Sequence, residues 1–303
     1  MENSIEYAQV FQEELDNQMI AKATSGWMEL NADLVKYNGG DEIKIATLAM
    51  DGLGDYSRTN GFPGGSINLS FNTYAFAMDR ARTFSIDRMD VDESNFVLSA
   101  ANVMSTFQQD YVIPEVDAYR YSTIAKIAVD NGKASSGYVP DEATIFETLL
   151  GDIATIQDLI GEDKELVITM SIKTAKILNA SAEIAKHLDV TDFKKGEVST
   201  KVQSLDGIPI IKVPSARFYS AYDFKSGGTG EEAGGFAQTT DASDINWIIA
   251  ARQSVIAVSK TEEIRIFEPK QNPNADAWKL DYRKYHDVWV TKNKLNGIFA
   301  NIQ

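Results

Sequence analysis

Between Tyr56 and Arg88 the chain alternates apolar and polar residues over a length that neighbouring segments cannot cover. A glycine- and proline-rich turn, Gly61-Phe62-Pro63-Gly64-Gly65, leads into the run. Ile67, Leu69 and Phe71 then point one way and Asn68, Ser70 and Asn72 the other. The phase slips near Asn72-Thr73, after which Tyr74, Phe76 and Met78 alternate with Ala75, Ala77 and Asp79. Beyond them Arg80, Arg82, Phe84, Ile86 and Arg88 share one face. Period-two patterning of this length predicts strand, so residues 56–88 are expected to form one long, lone β-hairpin. Strands of ~10 residues reach roughly 35 Å, and an isolated two-stranded ribbon is not stable in water. With no helical pattern beside it, the expected cover is a second copy of the chain.

The remaining composition is that of a globular chain. Of 303 residues, 44% are hydrophobic and 24% charged, which suits one large or two ordinary domains with a sizeable core. No run of about 18 apolar residues exists, and the acidic, amphipathic opening Met1-Glu2-Asn3-Ser4-Ile5-Glu6-Tyr7 is unlike a secretory signal. A formal net charge of −15 argues against a surface built to grip phosphates. The absence of cysteine removes disulfides, thiolate metal sites and cysteine nucleophiles.

Helical spacing of Ala8, Phe11, Leu15, Met19, Ala23, Trp27, Leu30 and Leu34 predicts a helical arm over residues 1–36. Glu42 to Met50 reads as a short strand. The longest helical pattern covers 93–131, with Phe96, Ala100, Val103, Phe107 and Tyr111 as its first stripe and Val116, Ile124 and Ile127 continuing it; Pro114 should kink or interrupt it. From residue 139 helix and strand alternate. Pro140-Asp141 opens a helix that buries Ile145, Leu149, Ile153, Ile156 and Ile160; Leu166–Met170 is a buried strand; Ser171 caps a helix to about Lys186. Strands at 198–202 and 208–213 meet at the turn pair Asp206-Gly207. Residues 226–243 form a flexible, glycine-rich loop, followed by strands at 247–250 and 254–259. A second long hairpin, 263–267 with 278–290, and a last strand at 294–302 complete the chain.

Little reactive chemistry is legible. The glycine-rich loop lacks the spacing and following helix of a phosphate loop. The acidic residues Asp87, Asp90, Asp92 and Glu93 lack the order of a calcium loop and suit a helix start. The two histidines are about a hundred residues apart: His187 follows a helix end, and His286 reads as a surface or interface residue, its neighbour Asp287 pointing to the opposite face. The hairpin's distinctive charge is arginine. Arg58, Arg80, Arg82 and Arg88 lie in or beside it, with no lysine between Lys44 and Lys126. Arginine tolerates partial burial in planar, bidentate pairs and suits protein interfaces; the competing reading is solvated charge that discourages edge-to-edge aggregation. The candidate interface residues are therefore Arg58, Phe62, Ile67, Leu69, Phe71, Tyr74, Phe76, Arg80, Arg82, Phe84 and Arg88, with Tyr282 and Arg283 from the second hairpin. No catalytic, cofactor-binding or metal-binding residues are expected.

Three phrases in order carry a family resemblance. Thr59-Asn60-Gly61-Phe62-Pro63-Gly64-Gly65 with Asp79-Arg80-Ala81-Arg82-Thr83-Phe84-Ser85-Ile86-Asp87 is similar to the extended loop, or E-loop, of tailed-bacteriophage major capsid proteins, in particular from phages of Gram-positive bacteria. Val112-Ile113-Pro114-Glu115-Val116-Asp117-Ala118-Tyr119-Arg120 resembles their spine helix. Ser204-Leu205-Asp206-Gly207-Ile208-Pro209-Ile210-Ile211-Lys212-Val213-Pro214 resembles a segment of their axial domain. The resemblance spans nearly the whole chain. It implies an α+β, HK-97-like capsid fold: N-terminal arm and first strand (1–50), E-loop (51–91), spine helix of the P domain (92–139), α/β axial domain (140–259), P-domain hairpin (260–290) and a C-terminal strand (291–303).

The resemblance further implies a non-enzymatic shell subunit that forms hexamers and pentamers of an icosahedral phage head. Its E-loop would lie over a neighbour, its glycine-rich loop near the capsomer axis and its second hairpin at threefold positions. The implied partners are itself, a portal protein, a separate scaffolding protein and packaged double-stranded DNA held without sequence specificity; no membrane is implied. Assembly would occur in the host cytoplasm, giving a virion component. Some relatives crosslink through an E-loop lysine; none lies in 51–91, so a shell without that crosslink is expected. An encapsulin-like compartment around a cargo enzyme, and an α/β enzyme using scattered carboxylates, stay open as alternatives.

Overall fold

The computed structural model describes residues 22–29, 35–37, 42–59, 61–93, 100–181, 188–195, 198–272 and 275–303. The proposed arm helix over 1–36 and His187 lie mostly or wholly outside these residues. In chain order, β1 is Val35–Tyr37, β2 Glu42–Met50, β3 Ile67–Ala75 and β4 Met78–Asp87. Helices α1 (Arg88–Glu93), α2 (Ala100–Phe107) and α3 (Ile113–Asp130) follow, with a π-helical turn, Gln108–Val112, joining the last two. Next come β5 (Ala134–Ser136), α4 (Ile145–Ile160), β6 (Leu166–Ser171), α5 (Ile172–Ala180), β7 (Leu188–Lys195), β8 (Val198–Leu205) and β9 (Ile208–Val213). Strands β10 (Tyr222–Phe224), β11 (Phe236–Gln238), β12 (Ile245–Ala251), β13 (Val255–Phe267), β14 (Ala277–Val290) and β15 (Ile298–Ile302) end the chain.

The main sheet is mixed, in the order β5-β15-β12-β6-β9-β8-β7. Its central strands are continuous apolar runs because both faces are covered. On one face α4 and α5 bury Ile145, Leu149, Ile153 and Ile156 against Ile168, Met170, Trp247 and Ile249. On the other, α3 packs Tyr121, Ile124, Ala125 and Ala128 against Val167, Ile211, Ile248 and Ala300. Local signals act as expected. Ser171 accepts a hydrogen bond from Thr174 N at 3.0 Å and starts α5. Asp206 and Gly207, at φ 48° and 84°, make the two-residue turn between β8 and β9.

The spine helix runs through Pro114 instead of ending there. Ile113 N donates to Gln108 O, five residues back, so the helix widens just before the proline. The wider turn relieves the clash a proline ring makes with the preceding carbonyl. The inserted residue also rotates the buried stripe: Met104, Gln108 and Val112 face inward, while Tyr111, expected inside, is exposed.

A second sheet, β13-β14-β4, lies against the first half of this helix. Ile86, Ile264, Leu280 and Tyr282 bury against Met104, Val112, Ile113 and Val116. The second hairpin is thus covered by its own chain, and β13 is one strand with a bulge between Ser259 and Thr261, where the sequence reads as two strands, 254–259 and 263–267.

Candidate subunit interface

The hairpin at 56–88 does not form. β3 pairs with β2, from Glu42↔Ala75 to Met50↔Ile67, while β4 pairs with β14, from Met78↔His286 to Asp87↔Ala277. The projecting ribbon is therefore Glu42–Ala75, closed by a tip at 51–66. The phase slip near Asn72 foreshadows the elbow Phe76-Ala77, where the chain leaves one sheet for the other.

Residues opposed across an antiparallel pair share a face. On one face of the ribbon lie Leu48, Met50, Ile67, Leu69 and Phe71, all exposed. On the other, Ala49, Thr47, Asn68 and Ser70 occupy the outer part, and Ile43, Ile45 and Tyr74 the base. That base packs into a core with Phe76, Ile256, Val258, Tyr285 and Trp289. The ribbon therefore uses one face to anchor itself and presents its opposite face uncovered. Of fourteen exposed large hydrophobic residues among those described, eight lie between Leu48 and Phe71. A contiguous apolar patch of this kind marks an interaction surface.

The tip is ordered by local bonds. Asp51 accepts from Ser66 N and Oγ at 2.7 and 2.8 Å. Ser57 and Gly61 exchange backbone bonds, and Tyr56 meets Phe62 edge-on at 5.2 Å. The root is held more firmly. Phe76 contacts Tyr285 and Trp289, each at 5.1 Å between ring centroids. Asp287 accepts from Ala77 N and Tyr119 Oη, each at 2.8 Å, tying the elbow to the spine helix. Burial pushes the Asp287 carboxyl up, against the pull of its donors.

The arginines separate by role. Arg80 donates from Nε to Glu115 at 2.6 Å, from Nη1 to the Lys225 carbonyl at 2.7 Å and from Nη2 to the Gly235 carbonyl at 3.1 Å. It staples β4 to the spine helix and to Lys225 and Gly235, which bound the glycine-rich turn between β10 and β11, so that turn is held against the spine helix and β4 and not free. Its charge is used inside the subunit, unlike the interface role expected from sequence. Arg283 pairs with Asp79 on the outer face of the sheet at 2.6 Å. Arg58 is exposed on the tip and Arg88 at the start of α1. Arg82 is exposed too, and among the described residues no hydrogen bond or ion pair engages it. Phe76 and Tyr282 are buried in their own chain, and Phe84 and Tyr74 partly so. Of the expected interface residues, Phe62, Ile67, Leu69 and Phe71 gather on the ribbon; Leu48 and Met50, on a strand outside the expected hairpin, complete the face.

Two buried polar networks had no sequence signal beyond residue type. Asp117 accepts from the backbone and hydroxyl groups of Thr24 and Ser25, at 2.6 to 3.2 Å, and Arg120 pairs with Glu29. Burial opposes ionisation of Glu29, but Arg120 and Lys284 outweigh it and hold its carboxyl below the usual range. His286, expected on the surface, is buried edge-on to Tyr119. Burial, then Arg120, Lys284 and Arg80, push its imidazole well below the ordinary value, so it is neutral and structural. Among the described residues no group of three or more histidine and carboxylate side chains is placed to hold a metal.

Neither protein-family models nor curated proteins match this chain. Solved structures do. The mature capsid of bacteriophage PhiM1 superposes with a TM-score of 0.58 at 15% identity, covering 88% of this chain and 82% of that one. The capsid of cyanophage P-SCSP1u gives 0.54 at 14% identity over 88% and 84%. A virus-like particle from Pyrococcus furiosus gives 0.51 at 10% identity over 96% and 98%. At such identities the likeness is one of fold: the chain is α+β with the HK-97-like architecture of tailed-phage major capsid proteins.

Proposed function

We propose that this chain, built on the phage capsid fold, is the major subunit of an icosahedral phage head. It assembles with itself into hexamers and pentamers enclosing double-stranded DNA. The observation that carries this reading is the uncovered apolar face of the ribbon, Leu48, Met50, Ile67, Leu69 and Phe71, standing on a rigid root. A face of this kind on a projecting ribbon requires cover from outside its own subunit, and repeated copies supply it. The net charge of −15 suits a container that holds DNA by enclosure and not by gripping phosphates. A separate scaffolding protein and a portal would be the assembly partners, and the place of assembly the host cytoplasm.

Electron microscopy of the protein, expressed with its scaffold where one is used, tests the reading. Closed particles are expected; only monomers or dimers under every condition tried would overturn it. The match to a virus-like particle supports a second reading, a shell that encloses a protein cargo. Particles containing protein but no DNA, recovered from the native source, would favour it.

Because the ribbon includes β2, it also includes a lysine. Its outer part has none, but β2 carries Lys44, exposed beside the apolar face. The shell is proposed to be non-covalent at the outer ribbon. A denaturing gel of mature particles should give one band at the monomer mass; a ladder abolished by Lys44→Arg would place a crosslink at the ribbon's base.

A further inference from the structure

We infer that Phe62, at the tip of one copy's ribbon, docks in a cleft beside Arg82 of a second copy. The inference rests on the shell-subunit reading and names the contact within it.

The cleft lies between β4, the π turn of the spine helix and the glycine-rich loop, with Arg82, Tyr111, Glu115, Gly227, Ala233 and Gly234 among its lining residues. It encloses about 150 Å³, a volume comparable to cavities that accept a single benzene-sized ring. Arg80, two residues from Arg82 on the same face, is fully engaged. Arg82 is not, and the loop leaves it open. A Cβ on Gly227 or Gly234 would stand in ordinary contact with Arg82 Nη1, at 3.5 Å, but both glycines have positive φ, 75° and 63°, which disfavours side chains there and keeps the loop bare beside the guanidinium. Tyr111 is 62% exposed because the π turn rotates it outward, and it stacks on Phe107 at 5.9 Å. The cleft thus offers an aromatic wall and an unpaired planar cation, a setting for an aromatic ring.

The chain carries a matching projection. Phe62 is 89% exposed, more than any other described aromatic, and its one ring contact is Tyr56. Glycine precedes it and Pro63-Gly64-Gly65 follows, so no bulky neighbour shields the ring. Asp55 adjoins Tyr56, and with Asp51 and Arg58 the tip at 51–66 carries two acidic residues and one basic, a net −1 opposite the cationic cleft. No described residue of the ribbon lines the cleft of its own subunit. β3 and β4 belong to different sheets, and the Asp287–Ala77 bond with the Phe76 cluster fixes the elbow between them.

The absence of cysteine permits a direct test. Gly64 has an ordinary φ and open space where a Cβ would stand, and Ala233 is exposed at the lip of the cleft. Particles of the double variant Gly64→Cys/Ala233→Cys, treated with a short bis-maleimide, should give a ladder of crosslinked subunits on a denaturing gel. Either single variant, and a control pairing Gly64→Cys with Leu159→Cys, should give no ladder. Independently, Phe62→Ala should raise the protein concentration needed for assembly by about tenfold or more, equivalent to at least ~1.4 kcal/mol per contact, without lowering subunit stability. Particles that form but do not crosslink, or that crosslink equally in the control, overturn this contact and leave the shell reading standing. Assembly of Phe62→Ala at the parent concentration also overturns it. If the parent chain forms no particles under any condition, the shell reading fails and the contact falls with it.

Discussion

β3 and β4 carry the same alternation and are separated by two residues, yet they meet opposite fates. Ile67, Leu69 and Phe71 of β3 face outward and are exposed. Phe84 and Ile86 of β4, itself a strand of the second sheet, pack against the spine helix, and Met78 is buried in its own chain. Strand character is set locally by the pleat; what covers a strand is set by elements distant in sequence, here β14 about two hundred residues away. The difference separates two kinds of apolar residue: those packed within the subunit and those left exposed on it, where the proposed contacts between copies would form.

The sharpest way to break this comparison is to charge the uncovered face. Leu69→Asp combined with Phe71→Asp should abolish particle formation while leaving circular dichroism and melting behaviour close to the parent, because neither side chain is buried in the subunit. Normal particles in the microscope would show that the face has no role in assembly.

Phe76 lies five residues from Phe71 but on the covered side of the divide. Phe76→Ala should cost about 3–5 kcal/mol of subunit stability in a urea titration, by transfer and cavity terms together. A loss below about 1 kcal/mol would mean that the aromatic root does not hold the ribbon.

The two arginines of β4 divide the same way. Arg80→Ala leaves Glu115 and two carbonyls without their donor and should cost about 1–3 kcal/mol. Arg82→Ala should stay within about 0.5 kcal/mol in the isolated subunit. Equal effects would erase the distinction between internal staple and free cation. An arginine-to-glutamate change at position 80 therefore reports on folding first, and only position 82 tests assembly cleanly.

Much of the fold is legible in the sequence. Alternation locates the strands, Ser171 and Asp206-Gly207 mark a cap and a turn, and the 3.6-residue spacing of Ile145, Leu149, Ile153 and Ile156 gives a buried helix face. Pairing is not legible, because a strand's pattern names its faces and not its partner; β2 is as long as β3 but nothing in its sequence names β3 as its partner, so alternation alone places the ribbon one strand too late. The phase of the spine helix is lost because no residue type announces a π turn, although Pro114 in a continuing apolar stripe is the available clue. The burial of His286, Asp117 and Arg120 is hidden for a related reason: polar residues are silent about burial until their partners, Thr24, Ser25 and Glu29 among them, are brought in from far along the chain.

The smallest expected effect is on the outer face of the β4 sheet, where charge and not apolar surface meets the solvent. There Asp79 accepts from Arg283 at 2.6 and 2.9 Å. The hydrogen bonds from Arg283 hold its carboxyl below the ordinary value, outweighing slight burial. A carboxylate whose pKa is depressed in the folded state contributes stability above its unfolded value, about 3.9, and loses it as the pH falls through the folded value. Asp79→Asn should therefore lower the melting temperature slightly near pH 7, and the difference should shrink with added salt and as the pH falls into the acid range where Asp79 is protonated. Particles should still form, since this face offers an exposed ion pair and, among the described residues, no exposed large hydrophobic side chain. If Asp79→Asn instead stopped assembly at unchanged stability, the outer face would join the ribbon as a contact surface. The division between a covered strand and an uncovered one would then no longer mark where copies meet.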